Sequence, residues 1–325
     1  MTAFEAARSV ADAYRAALKA AAADDEGPTA ADIAELRDEL AADLRAVTAE
    51  WPDRPHGPLR VTKARMRATA QCAAQVLGEV EPYALDSSLA VGRVCDLAAG
   101  VVAVHPGFSP TDSWYEALLS ALMQEHPDVV DLVANMRPDD REMLRVDIDR
   151  RCAELPGLLG DLNTQRITVR ERIAVEFAES NVLLAAEIDL TVGGGRRLLV
   201  EVKSGSFGSS VPDELRHYGL LGALRDGVAP LGGCAVTLND GAVTSIPLRL
   251  VDLRTAARRL VTTAERLVQI DRYLASGQPV PTSPGGHCRW CRRVRSCADV
   301  DERVLAELPA VYRSVSDDDI RAELS

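Results

Sequence analysis

Between Thr29 and Trp51 apolar residues recur at three- and four-residue steps: Ile33, Leu36, Leu40, Leu44 and Val47. That period predicts a helix with one buried side, opened by Thr29 as its N-cap. Residues 2–23, rich in alanine with scattered charges, predict an earlier helix, broken by Asp24, Asp25, Glu26, Gly27 and Pro28. The two helices are expected to pack as a hairpin. Three prolines and a glycine within residues 52–58 mark a linker after them. Helices are expected again over residues 61–72 and 89–104. Residues 110–162 read as mainly helical, interrupted near Pro127, Pro138 and Pro156.

The period shortens after Asn163. Residues 167–177, 182–192 and 196–203 alternate with period two and are rich in β-branched side chains, which predicts strands. Helices resume over 212–225 and 256–276, flanking a further strand at 233–238. This order predicts an α/β fold, a mixed central sheet flanked by helices, with an N-terminal helical extension. The extension and linker take residues 1–57, the main domain 58–304 and a tail 305–325.

Composition adds a substantial core, since 47% of the 325 residues are hydrophobic. No run approaches the roughly 18 apolar residues that span a bilayer, so no membrane partner is expected. Glu5, Arg8, Asp12, Arg15 and Lys19 interrupt the first twenty residues, which argues against a secretory signal and makes the cytoplasm the expected location. The 37 basic residues are outnumbered by 49 acidic ones, a formal net charge of -12. A nucleic-acid partner would therefore have to be met by local positive charge.

The runs 182–192 and 196–203 flank Gly193-Gly194-Gly195, a strong hairpin signal. If Val192 pairs with Arg196, Asp189 faces Leu199 and Glu187 faces Glu201. Glu187, Asp189, Glu201 and Lys203 then share one side of the ribbon. Leu184, Ala186, Ile188, Leu190, Leu198, Val200 and Val202 share the other, which is uniformly apolar. Asp189 and Glu201 are diagonal neighbours whose carboxylates can converge on a hard divalent cation such as Mg²⁺, with Lys203 beside it. An amphipathic edge hairpin with a merely solvated polar side is the competing reading.

Cys288-Arg-Trp-Cys291-Arg-Arg-Val-Arg-Ser-Cys297 places three thiols within ten residues, behind Pro284-Gly285-Gly286. Such clustering fits a metal-binding loop better than a core. Four sulfurs suit either Zn²⁺ or an iron–sulfur cluster, so a fourth ligand has to come from elsewhere, with Cys95 in reserve. Cys152 and Cys234, like Cys95, otherwise read as small buried hydrophobes.

Asp189, eleven residues, then Glu201-Val202-Lys203 resembles the catalytic core of the PD-(D/E)XK nucleases. Ala186-Glu-Ile-Asp189 and Lys203-Ser-Gly205 are similar to the RecB-like branch, whose members often read G-x-I-D and then D/E-x-K-T/S-G. Asp213-Glu-Leu-Arg-His-Tyr218 resembles that branch's Q-x-x-x-Y motif, with Glu214 in place of glutamine and Tyr218 retained. Gly92-Arg-Val-Cys-Asp96 sits where the branch usually has a glycine and, four residues on, a histidine; this chain has Asp96, with His105, nine residues further on, as the lesser substitute. The resemblance implies a restriction-endonuclease-like core and metal-dependent hydrolysis of DNA, with single-stranded ends as the expected substrate, in repair or defence. It further implies Mg²⁺ or Mn²⁺ held by Asp96, Asp189 and Glu201, with Lys203 positioning the nucleophile and Glu214 and Tyr218 orienting it or DNA. Iron–sulfur members of the branch, such as the AddB nuclease domain and the CRISPR-associated RecB-like exonucleases, place one cysteine before the core and three after it. On that pattern the implied [4Fe–4S] ligands are Cys72, Cys288, Cys291 and Cys297, with Zn²⁺ on the same four as the rival.

Arg289, Arg292, Arg293 and Arg295 form a local basic patch for phosphates, or offset the thiolate charge. Trp290 is expected to pack over the cluster or to stack on a base. The glycine run carries no phosphate-loop signature, and no Ser/His/Asp order suggests a hydrolase triad. No helicase P-loop occurs, so unwinding would fall to a helicase or another subunit of a nuclease complex. Two other functions stay open: a catalytically weak nucleic-acid-binding or assembly subunit on the same fold, and a zinc-stabilised interaction protein.

Overall fold

The computed structural model describes residues 5–23, 27–49, 51, 57–80, 87–105, 127–291, 293–294 and 296–300. Seven strands form one mixed sheet: β1 (Glu5–Ala7), β2 (Leu59–Thr62), β3 (Ile167–Phe177), β4 (Val182–Val192), β5 (Leu198–Lys203), β6 (Gly232–Thr237) and β7 (Ala242–Ile246). Their order is β1-β7-β6-β5-β4-β2, with β3 on the other edge of β4. The fold is therefore α/β, a mixed sheet with helices on both sides, as the alternation of periods predicts.

One side of the sheet is covered by α2 (Ala30–Thr48), α3 (Lys63–Gln71), α8 (Val211–Asp226) and α9 (Leu250–Ala275). Leu36, Leu40 and Leu44 of α2, Leu215 and Leu221 of α8, and Leu260 of α9 close this core over Leu184, Leu199 and Ala235. The other side carries α1 (Val10–Ala23), α4 (Ser87–Val104), α5 (Pro127–Asn135), α6 (Pro138–Ala153) and α7 (Leu155–Leu159) over Leu198, Val200, Val202 and Val236. Thus α1 and α2, expected to pair as a hairpin, pack on opposite sides of the sheet. Thr29 caps α2 as expected, accepting from the Asp32 N–H at 3.1 Å while Asp32 reaches back to the Thr29 N–H at 2.8 Å. The prolines near 127, 138 and 156 open helices, where a missing N–H costs nothing. Residues 110–126, inside the stretch read as helical, and the tail 305–325 lie outside the described residues. No helix among the described residues is long and apolar enough to cross a membrane.

The sheet forks along one edge of β4. Val182–Ala185 pair in parallel with Leu59–Thr62 of β2, whereas Leu190–Val192 pair antiparallel with Leu198–Val200 of β5. Ala186 to Asp189 lie between the two partners. Opposite them Arg170 of β3 has a left-handed backbone (φ 51), and the β3–β4 ladder skips Arg170 and Asp189. At this kink the even-numbered side chains of β4 change sides: Leu184 and Ile188 join one core, Leu190 and Val192 the other. The single apolar side expected for the ribbon is therefore divided between two cores.

The turn after β4 also differs. Val192 pairs with Leu198, not Arg196, so the loop runs through Gly193–Arg197. Gly193 has φ +112, and a Cβ there would lie 2.8 Å from the Tyr14 hydroxyl oxygen. Arg197 leaves the strand to bond Glu171 and Asp226. A shift of two does not by itself change the side a residue faces; the kink at Arg170 does so for the β4 residues before it, Glu187 among them. On this register Asp189 is level with Glu201.

Candidate functional site

The two ladders stop short of Asp189, and its carboxylate takes over where backbone pairing ends. Asp189 Oδ2 accepts the Val202 N–H at 2.7 Å, holding β5 at the point where it leaves β4. The next residues along β5 place Glu201 and Lys203 on the same side of the sheet as Leu199, facing α8. Helix α8 lies against them almost wholly buried and presents Glu214 and Tyr218, one turn apart.

The resulting network is dense. Lys203 Nζ donates to Glu201 Oε1 and, at 2.8 Å, to Glu214 Oε2. The Tyr218 hydroxyl donates to Glu201 Oε2 at 2.8 Å. Ser210 Oγ donates to Glu214 Oε1 at 3.0 Å. Glu201 is 2% exposed and Tyr218 0%, so the bonds run inside protein.

A second ammonium joins them. Lys63, the first residue of α3, donates to Glu201 Oε1 at 2.9 Å and to the Tyr218 hydroxyl oxygen at 2.6 Å, and stands 3.5 Å from Glu214 Oε2. Sequence reasoning missed it as a site residue. Its one cue is position: β2 runs parallel to β4 and ends at the fork, so the next residue is delivered to the carboxylates.

Asp96 enters from α4, on the opposite side of the sheet. Gly92, one turn earlier, lies beside Ser204, whose Oγ would be 3.5 Å from a Cβ at that position, an ordinary contact that does not require glycine. Burial and the nearby Glu201 carboxylate push the Asp96 carboxyl up to about 6, against Arg93, Lys203 and Lys63. Burial, then Glu201 and Asp96, also raise Asp189 well above the usual carboxylate range. Burial opposes the charge on Glu214, but Lys203 and Lys63 bring it down to about 2. Burial likewise opposes the Lys203 ammonium, yet Glu201 and Glu214 raise it above its ordinary value.

The structure thus brings together Asp96, Asp189, Glu201, Lys203, Glu214 and Tyr218, all named from sequence, and adds Lys63 and Ser210. Glu187 is drawn away: its two oxygens accept from Arg170 and Arg172 of β3, each at 2.8 Å. His105 is exposed beyond the end of α4.

The cysteines divide in the same way. Cys72 caps the C-terminus of α3 and, with Cys288, Cys291 and Cys297, lines one pocket. The Ser283 N–H points to Cys72 Sγ at 3.4 Å and the Gly285 N–H to Cys288 Sγ at 3.2 Å. Burial raises the Cys291 thiol, as do the sulfurs of Cys72, Cys288 and Cys297 around it. Cys95, the reserve ligand, is buried in the core under α4 beside Cys152, and Cys234 is buried in β6. Arg293 donates to the Ala74 carbonyl at 3.5 Å, tying the loop to the segment after α3. The side chains of Arg289, Trp290, Arg292 and Arg295 lie outside the described residues.

Four carboxylates at the fork meet two ammonium groups, a formal shortfall of positive charge, and burial first, then the neighbouring carboxylates, hold Asp96 and Asp189 above their ordinary range. A divalent cation would meet that shortfall, and the oxygen-only donor set of Asp96, Asp189 and Glu201 suits a hard ion. Four cysteine sulfurs around one pocket, two of them receiving backbone N–H groups, suit an iron–sulfur cluster or Zn²⁺. As placed, no three His, Cys, Asp or Glu side chains among the described residues would hold a metal ion. No family model matches the chain, and no curated protein matches it.

Proposed function

We propose that this chain is a metal-dependent DNA nuclease of the RecB-like PD-(D/E)XK kind, acting on single-stranded ends. The observation that carries the reading is the gathering of Asp96, Asp189, Glu201 and Lys203 at the fork of the sheet, braced by Glu214 and Tyr218. Asp96, Asp189 and Glu201 would hold Mg²⁺ or Mn²⁺, which would acidify water and draw charge from the scissile phosphate.

The chain's own groups have separable tasks. Lys203 is held as an ammonium by Glu201 and Glu214, so it acts through charge and hydrogen bonding, not as a base. Its Nζ is the group that meets negative charge developing on phosphate oxygens. Tyr218 keeps its proton, because burial and Glu201 raise its hydroxyl well above the ordinary value, and it fixes one oxygen of Glu201. Asp189 fixes β5 through the Val202 N–H and so sets the spacing of the two strands that carry the carboxylates. At the other end of α3, a [4Fe–4S] cluster or Zn²⁺ held by Cys72, Cys288, Cys291 and Cys297 would staple the segment after β2 to the segment after α9.

One observation favours a catalytically weak binding or assembly subunit. Lys63 and Lys203 both bond the same Glu201 oxygen, which sets two ammonium groups against the carboxylate meant for an ion. The test is Mg²⁺-dependent release of nucleotides from labelled single-stranded DNA by the purified chain. Release supports the nuclease. DNA binding without release at any divalent ion concentration supports the subunit instead.

A further inference from the structure

Glu201 is bound on both of its carboxylate oxygens. Oε1 accepts from Lys203 Nζ and, at 2.9 Å, from Lys63 Nζ, while Oε2 accepts from the Tyr218 hydroxyl at 2.8 Å. A carboxylate oxygen offers about two lone pairs, so Oε1 has none left for an ion while both ammonium groups stay. The two lysines are held differently. Lys203 lies within β5, paired with Thr237 of β6, and bonds Glu214 as well as Glu201. Lys63 begins a nine-residue helix, its side chain is 37% exposed, and it lines a groove between α3 and the start of α8. Glu214 lines the same groove, and its Oε2 stands 3.5 Å from Lys63 Nζ. Glu214 is not among the carboxylates assigned to the ion, so it can receive Lys63 without competing with it. The flexible four-carbon stem of a lysine suits such a short transfer.

We propose that Lys63 is a displaceable counter-ion of the metal site: its ammonium holds Glu201 Oε1 until a divalent cation takes that oxygen, and then pairs with Glu214 at the groove. The inference rests on the reading of Asp96, Asp189 and Glu201 as the ion's ligands, and it names the group that competes for them. Lys63 is a positioning residue: it acts through Glu201 and sets how much divalent ion the site needs. The apparent affinity for the ion falls by the fraction of protein in which the oxygen is free. A hydrogen bond to a charged group is strong enough to lower that fraction roughly tenfold to a hundredfold. Two ammonium groups on one carboxylate oxygen then belong to a site that fills at higher ion concentration, not to one closed to ions.

The experiment measures Mn²⁺ binding to the full chain, purified without oxygen, from the electron paramagnetic resonance signal of free Mn²⁺, with D189N as the blank. K63M, which keeps the stem and removes the charge, should bind Mn²⁺ at least roughly tenfold more tightly than the wild type. K63R, which keeps the charge, should stay near the wild type. In EDTA, urea unfolding should show K63M less stable, because Glu201 loses a partner, and saturating Mn²⁺ should erase most of that difference. If K63M does not fold, K63Q, which keeps a neutral donor to Glu201, reads the same competition. In the hydrolysis assay the Mg²⁺ concentration for half-maximal rate should fall by the same factor as the Mn²⁺ Kd. Tighter Mn²⁺ binding by K63M without hydrolysis of DNA sustains the exchange and overturns the nuclease reading. Binding by K63M equal to or weaker than that of the wild type overturns the exchange alone. Tighter binding by K63R overturns it too, since charge is then not what competes. Mn²⁺ bound no better by the wild type and K63M than by D189N overturns the metal site and the exchange together.

Discussion

Replacing Asp96 by asparagine should make the protein more stable and less active together. In the folded chain, burial and Glu201 raise the Asp96 carboxyl from 3.8 to about 6. A raised acid is destabilising wherever it is ionised: the unfolded chain holds the charge more easily above pH 3.8, and the folded chain resists it up to about 6. That rise corresponds to about 3 kcal/mol at pH 7 to 8. It falls to roughly half at pH 5 and vanishes below 3.8. Asparagine has the same shape and no charge, so D96N should recover up to that amount in urea unfolding followed by circular dichroism. Millimolar Mg²⁺ should narrow the gap. An ion bound only by the folded state stabilises by RT ln(1 + [L]/Kd), about 1.4 kcal/mol at ten times Kd, and D96N should gain much less of it. The reasoning fails if D96N is less stable than the wild type without metal, or if the stability gap between them is the same at pH 5 and pH 8.

Three further outcomes follow from the same geometry. K203A should lose at least about 10²-fold in DNA hydrolysis, because its ammonium is the group placed against developing charge, while Lys63 still faces Glu201 and keeps the fold; residual full activity with Mg²⁺ contradicts the assignment. C291S and C72A, purified without oxygen, should lose bound iron and sulfide, or zinc, and melt several degrees lower; unchanged metal content in both contradicts the four-cysteine site. His217 is depressed from 6.5 to about 4 by burial, so the unfolded chain binds its proton first and the stability it permits is lost as pH falls between those values. The stability difference between wild type and H217L should therefore change by about 2 kcal/mol between pH 8 and pH 5, in favour of H217L at low pH, and a constant difference contradicts it.

Periodicity made the elements that carry the site legible, and β3 and β4 begin and end where their alternation does. The strands it missed are β1, β2 (Leu59–Thr62, where a helix was expected from Val61) and β7. Glu5–Ala7 reads as part of an alanine-rich helix, and only pairing with Ala242–Ile246 at the sheet edge makes it a strand. The placement of α1 and α2 was beyond reach for a similar reason: an amphipathic period shows that a helix has a buried side, not which side of a sheet it covers. In the site, Asp189, Glu201 and Lys203 were legible because strand alternation fixes their side, and a two-residue error in register does not alter it. Lys63 was not, since its approach depends on β2 running parallel to β4 from more than a hundred residues away. The kink at Arg170, where the cores exchange, carries no glycine to announce it.

The central claim is that carboxylates and an ammonium gathered at a fork in the sheet hydrolyse phosphodiesters. The most direct measurement is time-resolved cleavage of end-labelled single-stranded DNA by the full chain, purified without oxygen, with Mg²⁺ or EDTA, beside the D189N variant. Cleavage by the wild type that stops with EDTA and is absent in D189N is the predicted result. A metal-loaded, folded wild type that leaves the strand intact, or a D189N that cuts it equally well, contradicts the account.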